Sequence, residues 1–252
     1  MISIFKFYNN EGWKKKNKTY KDAELFEDLR SCAKKYVSKC RNRIFNFIPK
    51  NGNHLLDFAS GPIQYEEYLK YSKNFKTRHC VDFSKDAIRE AKKKIKNKGV
   101  YYCNDFFKIK FKKSYFDCSI SLHTIYHIKK NKQKNCVLKL LNITKKKSPV
   151  IILYSNPDSL VSKFSRKFKL KKKNKSSLYF YCHPIKWWYQ FKNIAQIEMQ
   201  PWRSFSSSHQ KIIFPNNIIG KIMFDIIFIL ENFFKKFFIN NFQYYIIILK
   251  KN

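Results

Sequence analysis

Leu55-Leu56-Asp57-Phe58-Ala59-Ser60-Gly61-Pro62 and, roughly 25 residues further on, His79-Cys80-Val81-Asp82-Phe83-Ser84 decide how this chain is read. Each is a short apolar run that ends in a carboxylate and then breaks into a turn of small or helix-capping residues. In a parallel sheet a buried strand delivers such a side chain to its carboxyl end, and the turn behind it lets backbone approach a ligand. The spacing suits one strand-helix-strand crossover. Together the two segments describe a nucleotide-shaped crevice at one edge of an α/β sheet.

Outward from that pair, apolar runs and helical periods alternate. Leu25, Leu29, Ala33, Tyr36, Cys40, Ile44 and Ile48 recur at helical spacing and predict one helix over Lys21 to Ile48, entered through a Thr19/Asp22 capping box and closed by Pro49. A strand is expected at Asn53 to Phe58, a helix at Gln64 to Lys73, a strand at Thr77 to Asp82 and, capped by Ser84, a helix at Lys85 to Lys96. Strands at Val100 to Cys103 and Tyr115 to Ser121, a helix near Lys132 to Ile143 and a strand at Val150 to Tyr154 continue the series. This alternation predicts a parallel sheet with helices on both faces and right-handed crossovers. After Asn156-Pro157 the character changes. The basic run Lys163 to Ser177 is expected to be a mobile surface insertion, and Pro184 to open a short helix carrying Trp187 and Trp188. A strand at Ile194 to Gln200, a long helix at Ile218 to Phe237 and a last strand at Gln243 to Leu249 complete the reading.

At 252 residues the chain suits one α/β domain with additions. Its 7 cysteines are scattered and form no C-x-x-C pair, which points to a reduced, cytoplasmic setting without a metal cluster. The apolar start Met1-Ile2-Ser3-Ile4-Phe5 is cut by Lys6 and reads as no secretory signal. A formal net charge of +36 invites a polyanionic partner, nucleic acid or an anionic membrane surface. Yet only Arg30, Arg41, Arg43, Arg78, Arg89, Arg166 and Arg203 are arginine. The lysine excess runs the whole length of the chain, beside the Asn, Ile, Phe and Tyr that A- and T-rich codons also favour. A nucleic-acid footprint gathers on one face, so solvated lysine drift is the preferred reading. The segment Ile218 to Phe234 is very apolar, but Lys221, Asp225 and Glu231 interrupt it short of a spanning length. It is read as a helix covering one sheet face, with interfacial membrane contact as the alternative.

Four motifs stand in order: Leu55-Leu56-Asp57-Phe58-Ala59-Ser60-Gly61, Val81-Asp82-Phe83-Ser84, Asn104-Asp105-Phe106 and Phe116-Asp117-Cys118-Ser119-Ile120-Ser121. In them the chain resembles the class I S-adenosylmethionine-dependent methyltransferases, strongly over Leu55 to Tyr154 and more weakly in the flanks. The resemblance implies a Rossmann-like sheet, mostly parallel with an antiparallel last strand and helices on both faces. It implies a single methyltransferase domain over 1–252: a helical extension at 1–50, the cofactor-binding core at 51–155, a substrate-side insertion and helices at 156–240, and the last strand at 241–252. S-adenosylmethionine would be the methyl donor, with no metal. The resemblance assigns Asp82 to the ribose hydroxyls, whose two donors suit paired carboxylate oxygens. It assigns Asn104 and Asp105 to the adenine end, with Asp105 on the amino group, and Phe83 and Phe106 to apolar adenine contact. The turn of Asp57, Ala59, Ser60 and Gly61 would cradle the methionine end, with Gly61 at the closest backbone approach, and Ser121 would lie beneath the sulfonium. Ala59 and Ile63 stand where the family usually has glycine, and Pro62 stiffens the loop, so altered cofactor binding is expected. Glu27-Asp28-Leu29-Arg30, Tyr36-Val37-Ser38, Ala59-Ser60-Gly61-Pro62 and Glu67-Tyr68-Leu69 also resemble a bacterial subgroup of these enzymes, which softens that departure.

The segment Ser121 to His127 follows the fourth core strand, where the family places substrate-facing groups. Methyl transfer from a sulfonium is an in-line displacement, so the protein chiefly holds the nucleophile close and aligned. A base is needed only where a proton must leave. His123 is the first candidate, since imidazole titrates near neutrality, and His127 is either a second helper or a packed residue. Tyr65 is a candidate to close over methionine, with packing the commoner role for a helix tyrosine, and Trp202-Arg203 is a candidate platform for a planar or acidic acceptor. The expected reaction is methyl transfer to a small-molecule, lipid or glycan acceptor. Alternatives are an RNA methyltransferase, for which the Asn-Pro-Pro-Tyr type motif and a catalytic cysteine pair are both missing, and a non-catalytic binding module on the same sheet.

Overall fold

The computed structural model describes residues 4–17, 19–167 and 178–252. Seven strands form the central sheet: β1 (Gly52–Phe58), β2 (Phe75–Asp82), β3 (Gly99–Cys103), β4 (Cys118–Leu122), β5 (Pro149–Ser155), β6 (Ala195–Arg203) and β7 (Tyr244–Lys251). Their spatial order is β3-β2-β1-β4-β5-β7-β6. The first five pair in parallel, and β7 runs antiparallel to both β5 and β6. The strand order therefore reverses between β1 and β4, and the crevice outside the carboxyl ends at such a switch point is where ligands bind in open α/β sheets.

Alternation along the strands sorts side chains to two apolar layers. Leu56, Ile152, Ile247 and Leu249 enter one layer, against Val137 and Leu140 of the helix Lys130–Ile143. Leu55, Ile120, Ile151 and Ile246 enter the other, against Ala33, Tyr36 and Cys40 of Ser31–Asn42 and Phe224 of Ile218–Phe233. Because both faces are covered, β5 is buried at every position, which is why Val150 to Tyr154 reads as an unbroken apolar run.

In chain order the α-helices are α1 (Ile4–Phe7), α2 (Lys21–Phe26), α3 (Ser31–Asn42), α4 (Glu66–Lys70), α5 (Lys85–Ile95), α6 (Lys130–Ile143), α7 (Leu160–Lys167), α8 (Ser207–Ile213), α9 (Ile218–Phe233) and α10 (Lys235–Asn241). Ser84 caps α5 as expected, its Oγ accepting from the Ala87 N–H at 3.4 Å.

Several boundaries depart from the sequence reading for identifiable reasons. The helix expected over Lys21 to Ile48 is broken at Glu27 to Arg30. There Asp28 captures the Arg30 guanidinium, which also donates to the carbonyls of Gln210 and Phe214, and Glu27 is drawn to Arg41 at 3.0 Å. Buried charge pairing outweighs local helical period. The Thr19/Asp22 capping box does not form: α2 has no side-chain cap, and Asp22 accepts the Tyr8 hydroxyl at 3.0 Å. β4 starts at Cys118 and not at Tyr115, because Asp117 turns aside to accept the N–H groups of Asn53 and His54, each at 2.8 Å. The long C-terminal helix breaks at Phe234, which redirects the chain so that Phe238 is buried and stacks on Phe242 at 4.6 Å. Of the run Lys163 to Ser177, read as a mobile insertion, residues up to Lys167 belong to α7, and 168–177 lie outside the described residues.

Candidate active site

The loop after β1 carries a backbone signature that its side chains conceal. Ala59, Gly61 and Ile63 are all left-handed, with φ of 57°, 56° and 51°. These are the positions at which the resembled family uses glycine, so the conformation is kept although two of the three side chains are not. Ile63 is held there by burial against Cys80, Ala91 and Ile95. Lys94 of α5 clamps the loop by donating to the carbonyls of Pro62 and Ile63 at 2.8 and 2.7 Å. A left-handed L-residue costs about 1–2 kcal/mol, so Ala59→Gly is expected to stabilise the fold by about 0.5–1 kcal/mol after the greater chain entropy of glycine is subtracted. A urea titration that places the variant below the parent would remove the strain assignment.

Asp82, at the end of β2, is the electrostatic centre of the crevice. One carboxylate oxygen accepts the Gly61 N–H at 3.0 Å and the other the Ser84 N–H at 2.8 Å. Burial pushes this carboxyl up to about 6, against the backbone donors of Ser84 and Gly61, which pull it down. Asp57 behaves differently. Its carboxylate is engaged by Nε (3.1 Å) and Nη2 of Arg78, and Arg78 also reaches the Tyr68 carbonyl and, at 3.4 Å, the Ser72 hydroxyl. Asp57 Oδ2 therefore ties β1 to β2.

The remaining motif residues separate in the same way. Asp105, exposed beyond β3, holds its turn by accepting the Phe107 N–H at 2.9 Å, and Asn104 Oδ1 accepts the Asp105 N–H at 2.8 Å. Phe106 is a core residue, stacked on Phe58 at 4.2 Å with the Lys139 ammonium 4.7 Å from its ring. Ser60 ties the loop to β2 through its N–H on the Val81 carbonyl at 3.1 Å. Ser121 Oγ, near the carboxyl end of β4, is buried and has no hydrogen-bond partner among the described residues. An unsatisfied buried hydroxyl is costly.

An amino-terminal strap covers this crevice, and sequence reasoning missed it. The Phe5 ring lies 5.4 Å from that of Phe83, and the Tyr8 carbonyl accepts the Ser84 hydroxyl at 3.2 Å. Trp13 stacks on Tyr8 at 4.9 Å, and its indole roofs Gly61 so closely that a Cβ there would come within 3.1 Å of two ring atoms. The one available signal was the aromatic density of Phe5, Phe7, Tyr8 and Trp13 in a segment without a regular period.

The two histidines after β4 have different surroundings. His123 is left-handed at φ 56°, its Nδ1 is 2.7 Å from the Tyr126 hydroxyl, and its ring is edge-on to Trp202 at 4.8 Å and Tyr244 at 5.4 Å. Burial, then the Arg203 charge, holds it neutral well below the usual imidazole range. His127 Nδ1 lies 2.8 Å from the Tyr179 carbonyl and so donates to it, which leaves the Nε2 lone pair free in the neutral ring. Burial lowers this imidazole too. His127 lines an open cavity of about 720 Å³ with Ile4, Lys130, Lys134, His183 and Trp187. Trp202 and Arg203 do not form a platform. Both are buried, and Arg203 pairs with Glu27 at 3.3 Å. Tyr65 packs under the Arg41 guanidinium, 3.3 Å from its ring centre. Among the described residues no three His, Cys, Asp or Glu side chains are grouped to hold a metal.

Comparison with known proteins agrees with this geometry. Residues 56–152 match the family model described as a methyltransferase domain. Over those residues the chain is similar to a methyltransferase domain. Among solved structures it is similar to magnesium protoporphyrin IX methyltransferase from Synechocystis, solved with bound S-adenosylhomocysteine (11% identity, 99% of this chain and 98% of that one, TM-score 0.60). Geranyl diphosphate C-methyltransferase from Streptomyces coelicolor is similar at 11% identity, 99% and 96% coverage and a TM-score of 0.59. A S-adenosylmethionine-dependent methyltransferase from Archaeoglobus fulgidus matches at 18% identity, 86% and 94% coverage and a TM-score of 0.56. At these identities the likeness is one of fold. No curated protein sequence matches the chain. The matched residues run from within β1 to within β5, and the strand ends there carry Asp82, the left-handed loop and Ser121.

Proposed function

We propose that the chain transfers the methyl group of S-adenosylmethionine to a small-molecule acceptor bearing negative charge. What carries this reading is the convergence of three features beyond β1, β2 and β4: a left-handed loop with no side chain at Gly61, the doubly held Asp82 carboxylate, and the orphaned Ser121 hydroxyl. An adenosyl ligand fits that set. Asp82 would accept from the ribose hydroxyls, the Ala59 to Gly61 turn would hold the methionine end, Phe83 would face the adenine, and the exposed Asp105 carboxylate would take its amino group. S-adenosylmethionine, when bound, supplies an electrophilic sulfonium methyl for in-line displacement. The acceptor would enter by the cavity beside His127. Its Lys130 and Lys134 stand in the first two turns of α6, whose first turn has no acidic residue, and their ammonium groups would favour an anion. His127 Nε2 would take the proton that an acceptor hydroxyl or amine must lose; His123, locked among aromatic rings, serves to position this loop.

Calorimetric titration with S-adenosylhomocysteine tests the donor half, and a chain that does not bind it would overturn the reading. For the acceptor half, His127→Gln should slow methyl transfer to an anionic substrate by about 100-fold, within the usual range for a general base, with S-adenosylhomocysteine affinity unchanged. An undiminished rate would return His127 to a packing role.

A further inference from the structure

The outward face of α9 is apolar. Its inner face does conventional work: Gly220, Phe224 and Glu231 are buried, with the Phe224 ring stacked on Tyr36 of α3 at 4.9 Å and Glu231 accepting from Tyr36 and Arg43 at 2.6 and 2.7 Å. On the opposite face Ile218, Ile222, Ile226, Ile229 and Phe233 are 51% to 79% exposed. At 3.6 residues per turn these five fall within an arc of about 80°. A surface helix ordinarily turns such a stripe inwards and shows solvent a polar face. α9 covers its neighbours as the sequence suggested, and keeps a second apolar face for something else. A contiguous exposed apolar patch of this kind marks an interaction surface.

Charge selects the occupant. Lys221 is exposed at one edge of the stripe, and Lys235 and Lys236 are exposed immediately beyond its end. On the same flank Asp225 is already neutralised by Lys39 at 2.6 Å and Lys35 at 3.3 Å. A second copy of this chain would carry another net charge of +36, and self-repulsion opposes the association of two such chains. RNA would satisfy the lysines and leave isoleucine and phenylalanine without partners. An anionic lipid surface satisfies both, since the acyl boundary takes the apolar stripe while headgroups attract the ammonium groups. No helix among the described residues is long and apolar enough to cross a membrane. With 16 residues, α9 is suited to lie in the plane of the interface.

We propose that α9 docks this chain onto an anionic lipid surface through Ile222, Ile226, Ile229 and Phe233, with Lys235 and Lys236 at the headgroups. This stands apart from the methyl-transfer reading and is tested without turnover. The full chain is centrifuged with phosphatidylcholine vesicles, with and without phosphatidylglycerol. The parent is expected to sediment with the mixed vesicles and to stay in solution with the neutral ones. Replacing two half-exposed isoleucines, in the pair Ile226→Asp with Ile229→Asp, should weaken partitioning by about tenfold or more, given the transfer free energy of each side chain. Its melting temperature and its affinity for S-adenosylhomocysteine should match the parent's, since neither residue belongs to the inner face or the crevice. Three results would each overturn the proposal: no binding of the parent to mixed vesicles, equal binding by parent and variant, or a parent that forms a dimer which the variant loses while lipid binding is absent.

Discussion

Replacing Asp82 by alanine is expected to weaken the binding of both S-adenosylmethionine and its demethylated product by about a hundredfold or more. A hydrogen bond to a charged acceptor contributes about 1.5–3 kcal/mol, and two ribose hydroxyls would lose the same carboxylate together. The loss has a second component. The N–H groups of Gly61 and Ser84 would also lose their acceptor, so the left-handed loop would no longer be tied to the end of β2. Calorimetry on parent, Asp82→Asn and Asp82→Ala should give a graded series, because asparagine keeps one acceptor oxygen and forfeits the charge. Equal affinities across the series would dissolve the ribose assignment. The same group sets a pH dependence. A carboxyl held up at about 6 is largely ionised at pH 7.5 and largely protonated at pH 5, so affinity should fall as pH drops through about 6. The sign for the unliganded fold is the reverse. A folded-state value raised from 3.8 means that ionised Asp82 disfavours the fold above about 6, and that this penalty fades as pH falls towards 3.8.

Arg78→Met is expected to lower stability by about 3–5 kcal/mol, because it strands the Asp57 carboxylate inside the sheet with no cation. Arg78 and Asp57 are almost wholly buried, at 1% and 6% side-chain exposure, so water cannot replace the lost partner. That is a large part of the 5–15 kcal/mol typical of a domain, and the urea midpoint should fall accordingly. The double change Arg78→Met with Asp57→Leu should recover most of the loss, since removing both charges removes the stranded ion. A single variant within about 1 kcal/mol of the parent would mean that the pair is solvated in solution and does not tie β1 to β2.

The sheet was legible in the sequence for a physical reason. Parallel strands covered on both sides must be continuously apolar, so Leu55 to Phe58 and Val150 to Tyr154 announced themselves, and carboxylates at strand ends marked the crevice edge. The antiparallel β7 was legible as a final apolar run. What stayed hidden depended on contacts between distant residues. Nothing near Asp57 reveals that Arg78 claims it, and nothing near Glu27 reveals that Arg41 and Arg203 pull it out of a helix. His127 and His123 look alike in the sequence. Only the Tyr179 carbonyl and the ring contacts of Trp202 and Tyr244 tell them apart. The left-handed backbone at Ala59 and Ile63 was hidden by side chains that seldom adopt it.

The strap joins two places that the sequence keeps apart. A single short stretch touches two places: Ile4 forms part of the wall of the His127 cavity, while Phe5, Tyr8 and Trp13 lie on Phe83, Ser84 and Gly61. On the proposed reading, a ligand that displaced the indole from Gly61 would pull on the same segment that carries Ile4, and any coupling between the two places would be equal in both directions. Trp13 emission, from an indole seated on Gly61, supplies an intrinsic optical signal for any ligand that displaces it.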